Sequence, residues 1–267
     1  MTAARTMVLD ERFDASVSRP VAKWMARRLF RLGFSADQVS LLALGFGVTA
    51  GLCLASPGLW PMIGGLLLIG MIVTDCADGE VARLGPPSDK PWRGRMFDGF
   101  ADLGTVLSVH IGMVIALSHS GFQIGSHTVS VFEYIAISAL GFASFSWKSS
   151  VLDDVKQRLK PRSVDNELAR YADQEKTWFE RILYAALVRY VQTAARLSGH
   201  GRPGGYHVFR QVALVGPSHH LVAIAVAGML IPVSPAIYLA YFALTIIPGN
   251  LYLWTVLHRA RRAEVTA

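Results

Sequence analysis

Residues 59–74 read LWPMIGGLLLIGMIVT, sixteen positions without a charge, and residues 75–83 continue DCADGEVAR, with three acids and an arginine. A helix needs roughly 20 apolar residues to cross about 30 Å of hydrocarbon. Leu59 to Thr74 is therefore most of a membrane span, and the nine residues after it interrupt the apolar pattern. The Gly64-Gly65 pair suits a helix packed against other membrane helices, because small residues let backbones approach. Working outward, five further stretches have the same character: Val39 to Ala55, Phe100 to Ser118, Val131 to Trp147, Val212 to Ile231 and Pro235 to Leu257. The fold class this predicts is all-α, a polytopic membrane bundle of six transmembrane helices.

Composition points the same way. The chain has 267 residues, 52% hydrophobic and 17% charged, with two cysteines and a mean hydropathy of +0.37. Such values exclude an intrinsically disordered chain and a disulfide-stapled scaffold. The 26 Lys and Arg against 19 Asp and Glu leave a net charge of +7, which by itself fits nucleic acid, anionic lipid or membrane topology. Position decides: Ser56 to Gly58, His119 to Ser130 and Pro232 to Ser234 contain no Lys or Arg. The basic residues lie in the N-terminal arm, in Arg83 to Arg95, in Lys148 to Arg210 and in Arg259, Arg261 and Arg262. The positive-inside rule then predicts six crossings with both termini cytoplasmic, and no nucleic-acid partner is needed. Asp10, Glu11 and Asp14 stand where the core of a cleaved signal peptide would lie, so none is expected.

Three regions follow: a cytoplasmic arm with an amphipathic interfacial helix over residues 1–35, a membrane domain over 36–258 with a cytoplasmic insertion about 148–211, and a basic tail over 259–267. In the arm, Pro20 suits a first helical turn. Lys23, Arg27 and Arg31 then recur every four residues beside Trp24, Met25, Leu29 and Phe30, the pattern of a helix lying on the membrane surface and leading through Gly33 into the first span. Trp178 to Leu197 has the length of a span but carries Glu180, Arg181, Arg189 and Arg196; it reads as a second interfacial helix. Cys53 is mid-span and Cys76 lies at the cytoplasmic side, so no disulfide between them is expected.

Asp75 and Asp78 stand three residues apart on one helical face. GRMFDGFAD (94–102) places Gly94, Asp98 and Asp102 at four-residue spacing, so its two acids share a face as well. Consecutive spans joined by a short loop are usually antiparallel neighbours, which lets the two acidic faces converge. Four oxygen ligands in one pocket suit hard cations such as Mg²⁺ or Mn²⁺.

The pattern Asp75-x2-Asp78-Gly79-x2-Ala82-Arg83, then Gly94-x3-Asp98-x3-Asp102, resembles the signature of the CDP-alcohol phosphotransferases, membrane enzymes of phospholipid synthesis. All eight residue types are present in order. Leu84 to Arg93 makes ten residues between Arg83 and Gly94 where the family usually has eight, and the addition falls in a loop with Pro86, Pro87 and Pro91, where insertions are tolerated. The resemblance implies a transfer in which an alcohol hydroxyl attacks the β-phosphorus of a CDP-linked lipid donor, commonly CDP-diacylglycerol, and CMP leaves. It implies a two-metal site on Asp75, Asp78, Asp98 and Asp102, with Asp102 also the general base. Gly79, Ala82, Arg83 and Gly94 are then expected around the donor nucleotide and phosphates. The expected setting is a bacterial inner membrane with the site facing the cytoplasm, and the Gly-rich spans permit a homodimer.

Arg95, Lys148, Arg202 and Arg210 are candidates for holding a phosphorylated acceptor, or else topology determinants and contacts to anionic membrane lipids. Serine, inositol phosphate, glycerol phosphate and polyol phosphates are all open as acceptors. Glu80 fits a solvated face or a reach to metal or cytosine, His219 and His220 fit interfacial hydrogen bonding or acceptor contact, and Glu133 reads as a helix start. Two other functions use similar acids: a membrane prenyltransferase and a cation or proton transporter. The first needs acidic motifs in both halves, and the last two spans hold no Asp or Glu; the second needs midplane acids and an internal repeat.

Overall fold

The computed structural model describes residues 9–86, 91–124, 126–159, 172, 176–198 and 205–265. Six helical segments are long and apolar enough to cross a membrane, so the chain is an integral-membrane, all-α bundle. A turn of π-helix, Asp14–Ser18, runs straight into α1, Arg19–Arg31. The chain then forms α2, Ala36–Ala55; α3, Trp60–Leu84; and α4, Pro91–Ser120. Two two-residue strands, β1 at Gln123–Ile124 and β2 at His127–Thr128, pair antiparallel in the connection to α5, Val131–Leu159. The second half holds α6, Trp178–Ser198; α7, Gly205–Val212; a 3₁₀ turn, Ala213–Val215; α8, Pro217–Leu230; and α9, Ala236–Val265.

Local chemistry sets the boundaries. Gly33, at φ +84°, breaks α1 from α2, and Phe34 N donates back to the Leu29 carbonyl at 3.0 Å, closing the end of α1 as glycine-terminated helices do. Ser35 and Gln38 then form a reciprocal capping box at the start of α2, with Gln38 N donating to Ser35 Oγ at 3.3 Å and Ser35 N to Gln38 Oε1 at 2.9 Å. Glu133 does mark a helix start: it accepts from Ser130 N at 2.7 Å.

The helices overrun the apolar stretches read from sequence. The spanning segments run Trp60–Leu84, Gly94–Ser120 and Val131–Leu159, so all four motif aspartates lie within helices. Helical hydrogen bonding continues past the hydrocarbon wherever side chains find partners, and beyond Trp147 the turns of α5 bury Val151, Leu152 and Val155 against α7 and α9. α6 is not one of the six; it packs on α5 and α4, with Leu187 buried against Met96 and Trp178 and Ile182 exposed.

One expectation about packing is corrected. α3 and α4 are not principally each other's neighbours, because both pack lengthwise on α2. Glycines make this possible. A Cβ on Gly47 would overlap Thr105, one on Gly51 would overlap Ser108, and one on Gly112 would overlap the Gly51 carbonyl; Gly64 sits against Ala50 in the same manner. α1 lies on the same layer through Ala22 and Ala26, which are buried against Val39, Ala77 and Val81. On its outer face Arg28 stacks over exposed Trp24 at 3.8 Å.

The arm is tied to the far half of the bundle. Glu11, 1% exposed, accepts from Ser218 N and His219 N, each at 3.4 Å, and pairs with His219 Nδ1 at 2.9 Å. It caps α8 from a distance of more than two hundred residues, at the end where the helix dipole favours a negative charge. Asp14 joins it by accepting from Ser218 Oγ at 2.6 Å. Burial holds the Asp14 carboxyl above its ordinary range, with Glu11 adding to the rise and the Ser218 bond opposing it. A carboxyl raised on folding binds more protons folded than unfolded, so its ionisation at neutral pH costs stability, and that cost vanishes below the ordinary carboxylate range. Asp14→Asn, which keeps an acceptor for Ser218, is therefore expected to raise the thermal midpoint near pH 7, by a margin that shrinks on acidification. A pH-independent margin in a thermal-shift series would contradict this.

Candidate active site

α3 carries Asp75 and Asp78 in its second half and α4 carries Asp98 and Asp102 in its first, and α2 joins Asp78 to Asp98. Ser40, buried on the second turn of α2, donates its hydroxyl to Asp78 Oδ2 at 2.6 Å and lies 3.1 Å from Asp98 Oδ1. The same hydroxyl is 3.2 Å from the Ala36 carbonyl. A serine has one hydrogen to donate, and here three acceptors surround it. The carboxylates also act on one another: Asp75 feels Asp102 and Asp98, Asp78 feels Asp75 and Asp98, and Asp102 feels Asp98 and Asp78. Asp78 is buried, Asp75 and Asp98 half-buried and Asp102 exposed, so the acids are graded from the bundle interior to an accessible surface.

The donor set is all oxygen and short of cations. Arg19 acts on Asp75 and Arg95 on Asp98, but Arg95 makes its ion pair with Asp153, at 2.9 Å. Among the described residues no three Asp, Glu, His or Cys side chains form a ready-made metal cage. The chemistry of the site nonetheless fits a hard divalent ion, because three acceptors share the Ser40 proton and mutually repelling carboxylates gain most from added positive charge.

The rest of the motif stands as follows. Gly79 and Gly94 leave open space where a Cβ would project; the nearest atoms to Gly79 are the Arg83 guanidinium nitrogens at 3.7 and 3.8 Å, and Gly94 has nothing within 4 Å. Ala82 and Arg83 are exposed. Glu80 is engaged with two arginines, Arg83 on its own helix and Arg19 on α1.

The acceptor candidates are not brought together. Lys148 is 1% exposed, inside the bundle, and donates to Ser144 Oγ at 2.9 Å and to the Thr245 carbonyl. Arg95 is held by Asp153. Arg210 is exposed on α7 and, with Arg12, Tyr206 and Phe209, lines a cavity of about 280 Å³ between α7 and the arm. Arg202 lies outside the described residues. His219 is taken by Glu11, and His220 is buried with Nδ1 3.2 Å from the Tyr241 hydroxyl. Cys53 and Cys76 are free thiols.

Four residues beside the acids escaped sequence reading. Ser40 was visible only as a lone hydroxyl early in an apolar run. Asp14 and Arg19 act on Asp75 from the arm, where they looked like part of a generic charged leader. Tyr190 on α6 interacts with Ser150, Asp153, Arg95 and Asp102, which gives α6 a place beside the exposed end of the site. No family model, no curated protein and no solved structure matches this chain.

Proposed function

We propose that this chain is a divalent-metal-dependent membrane phosphotransferase that moves a substituted phosphate, the phosphatidyl group of CDP-diacylglycerol in the first instance, from a CDP-linked donor to an alcohol or alcohol-phosphate acceptor. The observation that carries the reading is the meeting of Asp78 of α3 and Asp98 of α4 at Ser40, two of the four acids of the signature the sequence resembles. A transporter would use acids near the middle of its spans and an internal repeat, whereas Asp78 lies toward the end of α3 and Asp98 toward the start of α4.

Asp75, Asp78, Asp98 and Asp102 would hold Mg²⁺ or Mn²⁺, two ions in all, which supply the positive charge that lets a pyrophosphate approach carboxylates. Asp102, the accessible acid, takes the proton of the acceptor hydroxyl as its oxygen bonds to the β-phosphorus and the bond to the leaving CMP breaks. Arg83 meets the donor phosphate with charge-assisted hydrogen bonds, while Gly79, Ala82 and Gly94 keep side chains out of the nucleotide's way. On the positive-inside rule the site and both termini would lie in the cytoplasm, in phospholipid biosynthesis at a bacterial inner membrane, and the close-packing glycines are compatible with a homodimer.

The test is CMP release by purified protein given CDP-diacylglycerol and a panel of serine, glycerol phosphate, inositol phosphate and polyol phosphates, with and without Mg²⁺ or Mn²⁺. Metal-dependent release with at least one acceptor is expected. No metal-dependent release with any of them refutes the proposal.

A further inference from the structure

Four side chains form a relay of alternating charge from the arm to the motif helix. Asp10 Oδ1 accepts from Arg19 Nη2 at 2.8 Å, and Arg19 Nη1 reaches Glu80 Oε1 at 3.3 Å. Glu80 in turn holds Arg83 in a two-point grip, Nη2 to Oε1 at 2.8 Å and Nε to Oε2 at 3.3 Å. The side chain of Glu80 is 15% exposed while that of Arg83 is 56% exposed. An isolated surface pair at i,i+3 would do little, since both side chains would swing freely in solvent. Here the acid is fixed from behind by a residue of another helix, so its grip on the outer arginine has a direction.

That direction is back along α3. Held by Glu80, the Arg83 side chain folds back along α3 until its guanidinium nitrogens lie 3.7 and 3.8 Å from where a Gly79 Cβ would stand, next in sequence to Asp78. A guanidinium has five N–H donors. Two are occupied by Glu80, and the remaining three are available to a phosphate. With Asp10 on Arg19 and Glu80 on Arg83 the relay balances two acids against two arginines, so what it offers an anionic ligand is the exposed Arg83 guanidinium at its outer end.

We propose that Glu80, anchored by Arg19, is a positioning residue that holds Arg83 in place for the donor's pyrophosphate. This rests on the phosphotransferase reading above. Glu80 touches neither donor nor acceptor in this scheme; it removes the rotamer freedom that Arg83 would otherwise lose on binding. Its effect therefore falls on donor binding and not on the chemical step.

The experiment is steady-state CMP release by the full-length protein, with donor and acceptor concentrations varied separately, for wild type, Glu80→Gln, Arg83→Lys and the double variant. Expected for Glu80→Gln is a donor KM raised roughly tenfold, the scale of one charge-assisted contact, with kcat and acceptor KM within about twofold of wild type. The double variant is expected to be no worse than Arg83→Lys alone, because both changes disable one device. Arg19→Gln reads the same relay from the other side and replaces Glu80→Gln if that variant does not elute as folded protein; Arg19→Lys, which keeps the charge, is expected to recover part of the donor KM. An unchanged donor KM in Glu80→Gln, beside a wild type that releases CMP, overturns this inference alone, as do additive effects in the double variant. A wild type that releases no CMP from any CDP-linked lipid overturns it together with the function on which it rests.

Discussion

Replacing Asp102 by Asn is expected to lower metal-dependent CMP release by about 10²–10⁴-fold, the range for removing a positioned general base, with the protein still folded. Asn keeps the size and one acceptor oxygen of Asp102 but has no basic lone pair for the acceptor's proton and no negative charge for a cation. Asp102 is exposed and, in the described structure, interacts with Asp98 and Asp78 only through its charge. Nothing in the packing therefore requires the carboxylate, and loss of activity would not be a by-product of unfolding. The control is Glu133→Gln, at the opposite end of the bundle, where the acid caps α5 and pairs with His127; it is expected to retain wild-type turnover. Full activity in Asp102→Asn would remove the general-base role.

The second large effect is structural. Gly112→Leu is expected to prevent α2 and α4 from closing, because even a Cβ at this position overlaps the Gly51 backbone carbonyl. Overpacking a core costs about 1–3 kcal/mol when side chains can shift, and here the obstacle is main chain, which cannot rotate away. The variant is expected to lose its monodisperse elution in detergent or a large part of its thermal stability. It should also lose activity, since α2 carries Ser40 and α4 carries Asp98 and Asp102. Gly45→Leu adds the same side chain to α2 at a position with nothing within 4 Å and is expected to behave as wild type. Equal behaviour of the two variants would mean that α2 does not form the seam between α3 and α4.

The bundle was legible because hydrocarbon imposes a simple demand. Every backbone polar group in a span must be satisfied within the helix, so an uncharged run such as Leu59 to Thr74 has few structures open to it. Caps and breaks were legible for a related reason: Gly33 ends α1 and Glu133 caps α5 through residues within four positions of themselves. The acids could be paired within each helix by their three- and four-residue spacing, which is geometry of a single element.

What the sequence by itself determined, then, was the number and approximate place of the spans, the break at Gly33 and the helix start at Glu133, the charge asymmetry, and which aspartates share a face. Tertiary structure alone decided that α2 stands between the two acidic helices, that Ser40 joins them, that Glu11 caps α8 and that Lys148 is enclosed in the bundle. The physical reason is that lipid tails and neighbouring helices are equally apolar, so a hydrophobic pattern cannot say which of the two a residue faces. Partners are chosen instead by backbone approach at glycines such as Gly51 and Gly112 and by polar contacts far apart in the chain, such as Ser40 to Asp98 or Glu11 to His219. Those are relations between elements, and they exist only once the helices have packed.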